Sequence, residues 1–171
     1  MVGGVKGTLG LLVLGLAALL SACSTTRIDR GHSLIQSDAA ESYANVYFIR
    51  PTTEHPLGFA DNPLTVAVNG ERLMRLGVGE YTLVQLKARD ISVTMKNQTQ
   101  VRGRWEVTEM EQTRNFNLEP GQTYYILAKM VNGEFRGVTF IPESITLFDV
   151  RQIKTSLRAT GAAKKTPIYL R

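Results

Sequence analysis

Leu64-Thr-Val-Ala-Val-Asn-Gly-Glu-Arg-Leu-Met-Arg-Leu76 is the stretch that decides the fold class. Leu64, Val66 and Val68 alternate with Thr65 and Ala67, the period of two that puts one set of side chains on a buried face. Asn69-Gly70 tolerates the positive φ angles that a type I′ turn requires, and Arg72–Leu76 is the return strand. The texture extends both ways. Upstream, Ala44–Arg50 is rich in β-branched and aromatic residues and is stopped by Pro51. Downstream, Gly77-Val78-Gly79 breaks the chain before a strand at Tyr81–Leu86, and Lys87–Asp90 turns into a strand at Ile91–Met95. Asn97–Arg104 is polar and reads as a loop or ragged hairpin end, and Trp105–Leu118 as a long strand or a strand with a bulge. Glu119-Pro120-Gly121-Gln122 turns the chain into Thr123–Val131, and Asn132-Gly133 predicts a second two-residue hairpin into Glu134–Ile141. About seven or eight short strands separated by such turns predict a mainly β protein, an antiparallel sandwich.

One helix is expected at the end. Asp149, with Gln152 three residues later, resembles a capping box, and Val150, Ile153 and Leu157 fall at i, i+3 and i+7. The pattern predicts an amphipathic helix over Asp149–Thr160, stopped by Gly161 and packed on the sheets.

The first 22 residues are of another kind. Lys6 is the only charge before Arg27, Leu9–Leu20 is an apolar run, and Ser21-Ala22-Cys23 follows. A basic start, a short apolar stretch and small residues before a cut describe a secretory signal peptide. The run is shorter than the roughly 20 apolar residues of a membrane-spanning helix. Leu20-Ser21-Ala22-Cys23 resembles the lipobox of bacterial lipoproteins, in which the cysteine sulfur receives a diacylglycerol and the peptidase cuts before it. Cys23 is the only cysteine of the chain, and as a lipid attachment site it needs no disulfide partner. Ser24 and Thr25 follow it, which by resemblance to the sorting rule of enteric bacteria implies the outer membrane. The organisation read from this is 1–22 signal peptide, 23–43 lipidated cysteine and flexible tether, 44–160 sandwich with helix, and 161–171 basic tail.

Charge is distributed unevenly. The formal net charge of +5 becomes +4 once Lys6 leaves with the signal peptide. Arg151, Lys154, Arg158, Lys164, Lys165 and Arg171 lie after Asp149 with no acidic residue among them, so the body before them is slightly acidic. These six are candidate contacts with an anionic surface such as phospholipid headgroups; the plainer alternative is a solvated charged tail. An exported lipoprotein does not meet cytoplasmic nucleic acid, so no nucleic-acid partner is expected.

No reactive group of side chains is legible. His32 is placed in the tether and His55 in a proline-rich loop, and no His-x-x-x-His or Cys-x-x-Cys spacing offers a zinc site. There is no Gly-x-Ser-x-Gly elbow, and Gly77-Val78-Gly79 lacks the third glycine of a dinucleotide loop. Glu106, Glu109 and Glu111 could supply paired carboxylates, but near Arg102, Arg104 and Arg114 they predict a solvated charge ladder. No catalytic residue, metal ligand or cofactor is assigned. Trp105 and Tyr124 are candidate interface aromatics, with the core as the default for either tyrosine of Tyr124-Tyr125.

Val46-Tyr47-Phe48-Ile49-Arg50-Pro51, Val66-Ala67-Val68-Asn69-Gly70, Gly79-Glu80-Tyr81 and Leu118-Glu119-Pro120-Gly121-Gln122-Thr123-Tyr124-Tyr125-Ile126 occur in that order. In this the chain resembles a widespread group of bacterial lipoproteins whose shared domain is catalogued only as a domain of unknown function. The resemblance covers about Ala44–Leu157 and departs from the group at Ala88-Arg89-Asp90, where a proline-glycine turn is usual. It implies fold and location and carries no activity. The resulting expectation is a lipid-anchored, non-enzymatic binding or scaffolding module facing the periplasm, held on the membrane by its anchor and partnered by an envelope protein or peptidoglycan. The alternative is a hydrolase of envelope glycan or lipid.

Overall fold

A computed structural model of the chain describes residues 26–35, 42–101, 106–133, 137–153 and 157–168. Their strands are β1 (Arg27–Ile28), β2 (Tyr43–Arg50), β3 (Leu64–Val68), β4 (Glu71–Leu76), β5 (Glu80–Lys87), β6 (Asp90–Gln100), β7 (Val107–Asn117), β8 (Thr123–Gly133), β9 (Gly137–Ile145) and β10 (Arg158–Gly161). They form two five-stranded sheets in the orders β1-β4-β3-β6-β7 and β10-β5-β2-β8-β9, packed as a sandwich. The alternation read from the sequence supplies the core. Leu64, Val66 and Val68 of β3 and Ile91, Val93 and Met95 of β6 meet Val46 and Phe48 of β2, Val84 and Leu86 of β5 and Ile126 of β8. Each such buried side chain contributes roughly 1.5–3 kcal/mol.

Asn69-Gly70 is the expected two-residue turn, with φ of 52° and 83°. Past it, Val66 pairs with Met74 but Ala67 pairs with Arg72, so Leu73 is an extra residue. This bulge lets the consecutive Leu73 and Met74 both enter the core. Not all pairing is antiparallel: β2 pairs β8 and β5 pairs β10 in parallel.

Three expectations are corrected. First, the helix α1 spans Leu147–Gln152 only. Thr146, not Asp149, is its N-cap, and Asp149, the third residue of the helix, is the partner whose carboxylate accepts the Thr146 N–H at 2.8 Å. Arg158 lies on β10, paired with β5, because β5 offers an unpaired edge there. Second, β8 runs through Gly133 and pairs it with Gly137, so Asn132-Gly133 is strand and the reversal falls between those two glycines. Third, residues 26–35 are not a free tether. β1 adds to β4, Leu34 is 1% exposed, and the Lys87 N–H donates to the Leu34 carbonyl at 3.2 Å. His32, expected to be loosely held, is buried: its Nδ1 accepts the Leu34 N–H at 3.2 Å, so Nε2 carries the hydrogen toward the Val68 and Glu71 carbonyls.

A second apolar cluster covers the outer face of the β10-β5-β2-β8-β9 sheet. Tyr47, Ile49, Tyr81 and Leu83 are buried there beneath Val150 of α1, Ala163 and Ile168. Two ends of the sandwich follow from the registers. The Asn69 end carries the Asn69-Gly70 and Pro120-Gly121 turns; the Gly77 end carries Gly77–Gly79, the short 3-10 turn Gly58–Asp61, and the tips of two hairpins.

Candidate functional site at the Gly77 end

The Gly77 end is built on two buried charges of opposite sign. Arg50 ends an apolar strand and is 1% exposed. Its guanidinium donates to three backbone carbonyls, Asn62 at 2.8 Å, Leu76 at 2.9 Å and Ala60 at 2.6 Å, and lies 4.9 Å above the centre of the Phe140 ring. Burial lowers its pKa to about 10, against the opposing pull of the Asp61 and Glu80 carboxylates. The carbonyls come from the loop after β2 and the end of β4, so one side chain fastens both to the strand that bears it.

Glu80, fully buried at the start of β5, accepts from Thr26, Gly77 and Arg158. The Thr26 hydroxyl donates to Oε2, which also takes the Gly77 N–H at 3.2 Å, while the Arg158 guanidinium holds Oε1. The first described residue, the Gly77–Gly79 turn and the return of the chain in β10 thus meet on one carboxylate. The sequence offers one signal for both sites, a charge embedded in strand-forming apolar residues; the partners come from loops and termini that no local pattern connects.

Beyond this pair, two hairpins project. Ile49 stands opposite Tyr81 and Leu127, and β2 stops one residue later, so Lys129–Gly133 pair only with β9. β6 likewise runs past its last partner on β3, Lys96 opposite Thr65, with only β7 beside it. Two side chains close the gap between the sheets: Asn97 Nδ2 donates to the Val138 carbonyl at 2.9 Å, and Thr99 Oγ1 accepts the Val138 N–H at 3.0 Å. Gly137 has to be glycine here, because a Cβ would stand 2.6 Å from Thr99 Oγ1 at a φ of 77°.

Between these tips and the Gly58–Asp61 turn lies a cleft of about 700 Å³. Leu57, Phe59 and Val138 give it apolar walls, and Asn62, Gln100 and Asn132 give it amides. None of the described residues lining it is ionisable. Such a lining suits a neutral or amphipathic group and offers no acid–base pair. A second cleft of about 390 Å³ runs between β7 and the β8–β9 hairpin, where Lys129 is paired with Glu143 at 2.8 Å.

The residues singled out from the sequence are not gathered in one place. Cys23, Trp105, Lys154 and Arg171 lie outside the described residues. Arg158 is bonded to Glu80 with half of its side chain still exposed, and Arg151, Lys164 and Lys165 are exposed. Tyr124 is half-buried against the main core and its hydroxyl accepts the Glu119 N–H at 2.9 Å. Its neighbour Tyr125 faces the other way and stacks on Tyr47 with ring centres 5.4 Å apart. Of the glutamates, Glu111 pairs with Lys96 across the strands at 2.6 Å, and Glu106 and Glu109 are exposed. Among the described residues no three His, Cys, Asp or Glu side chains gather as metal ligands, and no helix is long and apolar enough to cross a membrane. No family model matches the chain, and it matches no curated protein and no solved structure.

Proposed function

We propose that this chain is a lipid-anchored envelope protein that works by binding or scaffolding, without catalysis, on the periplasmic face of the outer membrane. The resemblance to the lipoprotein group named above belongs to the same proposal. One observation carries it: the Leu20-Ser21-Ala22-Cys23 lipobox ends three residues before Thr26, the point at which the chain is fastened to the sandwich through Glu80. A cysteine so placed serves as an anchor for the whole domain. Among the described residues, the amides and apolar groups that line the cleft at the same end support binding. An envelope protein or peptidoglycan is the partner proposed.

The test is fractionation of cells carrying the full chain or Cys23→Ser. The original chain is expected in the membrane fraction with the mass of a diacylglycerol added, and the variant is expected in the soluble periplasmic fraction. A variant that stays in the membrane with its signal peptide removed overturns the proposal. Crosslinking of the full chain in cells then identifies the partner.

A further inference from the structure

We propose that the Gly77 end of the sandwich rests end-on against the phospholipid surface that holds the anchor, with Phe59, Val107, Met130 and Val131 as its apolar contacts. This rests on the reading of Cys23 as acylated. Chain length gives the first reason. Thr26 is bound to Glu80, and the three residues back to Cys23 reach at most about 10 Å when fully extended. The Gly77 end therefore cannot stand farther than that from the lipid, and the rest of the molecule extends away behind it.

Register gives the second. Arg50 pairs with Glu80, and one step beyond the Ile49–Leu127 pair places Ala128 at the same level. Gly133 is five residues farther along β8, about 17 Å at the rise of an extended strand. The hairpin tips project farther than the linker to the anchor can reach, so a sandwich suspended by Thr26 with its strands upright brings them to the surface.

Composition gives the third. Among the described residues six large apolar side chains are exposed, and four are at this end: Phe59 at 44%, Val107 at 38%, Met130 at 42% and Val131 at 36%. Exposed apolar groups gathered on projecting tips mark a surface that is covered in use. On the flank, Arg27 and Arg75 stand directly opposite each other on β1 and β4, both exposed. Like charges so placed repel, and neither has an ion-pair partner among the described residues.

The test uses the acylated full chain, whose native cysteine is blocked by lipid, so that one introduced cysteine is the only free thiol. Asn132→Cys places a fluorophore at the projecting tip, and Glu119→Cys places it at the Asn69 end, both at exposed positions. Each labelled protein is reconstituted in vesicles of phosphatidylethanolamine and phosphatidylglycerol carrying a nitroxide on the headgroup. At the tip, fluorescence is expected to fall by more than half, with no change at position 119. Equal quenching at both positions, or none at either, in protein that floats with the vesicles overturns end-on docking while leaving acylation intact. Protein lacking the diacylglycerol mass removes the docking proposal together with the reading beneath it.

Discussion

Arg50 has a guanidinium inside a β-sandwich with no carboxylate of the described residues bound to it directly; it is held by three carbonyls and an aromatic face. Desolvating a cation is unfavourable, and only a full set of acceptors offsets it. Arg50→Ala leaves the carbonyls of Ala60, Asn62 and Leu76 buried without a donor, and the expected loss is about 4 kcal/mol, measured by urea unfolding. Arg50→Lys keeps the charge but not the planar fork, and is expected to lose about 2 kcal/mol. A loss under about 1 kcal/mol for Arg50→Ala contradicts this role. Glu80 fastens three distant segments on one carboxylate, so Glu80→Gln is expected to raise proteolysis near Thr26 and Arg158 before the rest of the domain opens.

At the scale of elements, the Asn69-Gly70 hairpin isolates a backbone effect. Gly70 sits at φ 83° with nothing within 4 Å of where a Cβ would stand, so Gly70→Val meets strain and no clash. The expected cost is about 1–2 kcal/mol, seen as a lower melting temperature; an unchanged melt rules out the turn. This turn was legible because its two residues and both flanking strands lie within thirteen positions. The second Asn-Gly was misleading for a physical reason: Gly133 pairs with Gly137, and the crowding of Gly137 against Thr99 fixes the register instead. The Val150, Ile153 and Leu157 spacing fitted one helix, yet Val150 of α1 and Leu157 ahead of β10 serve one cluster from two elements. Helical propensity yielded to the open edge of β5, where β10 gains a backbone ladder. Leu34-Ile35 was the one pair of large apolar residues in the stretch read as tether, and it marks where that stretch docks. The candidate cleft had no local signal, because its walls come from the Gly58–Asp61 turn, β6, β8 and β9 and meet only in the folded molecule.

At the scale of the whole molecule, the outer layer formed by α1 and residues 157–168 depends on pH through the tyrosines beneath it. Tyr47 stacks on Tyr125, lies 6.4 Å from Tyr81 between ring centres, and donates its hydroxyl to the Thr166 carbonyl at 2.9 Å. Burial raises all three phenols above their ordinary value of 10.0; in Tyr47 the neighbouring Tyr125 and Tyr81 add to this, while in Tyr81 a backbone bond with Ile168 works against it. Above pH 10 the unfolded chain gives up these protons while the folded one keeps them, so the unfolded state binds fewer protons and stability falls as pH rises. Below pH 10 the contribution is present in full. Arg50, lowered to about 10, acts in the opposite sense over the same range, since its folded form releases a proton that the unfolded form retains. The comparison that isolates the tyrosines is therefore Tyr47→Phe against the original chain in thermal melts from pH 8 to pH 11. The variant is expected to lose about 1 kcal/mol at pH 8 with the Thr166 bond, and then to decline less steeply above pH 10. Parallel curves for the two proteins across that range contradict a tyrosine-governed outer layer.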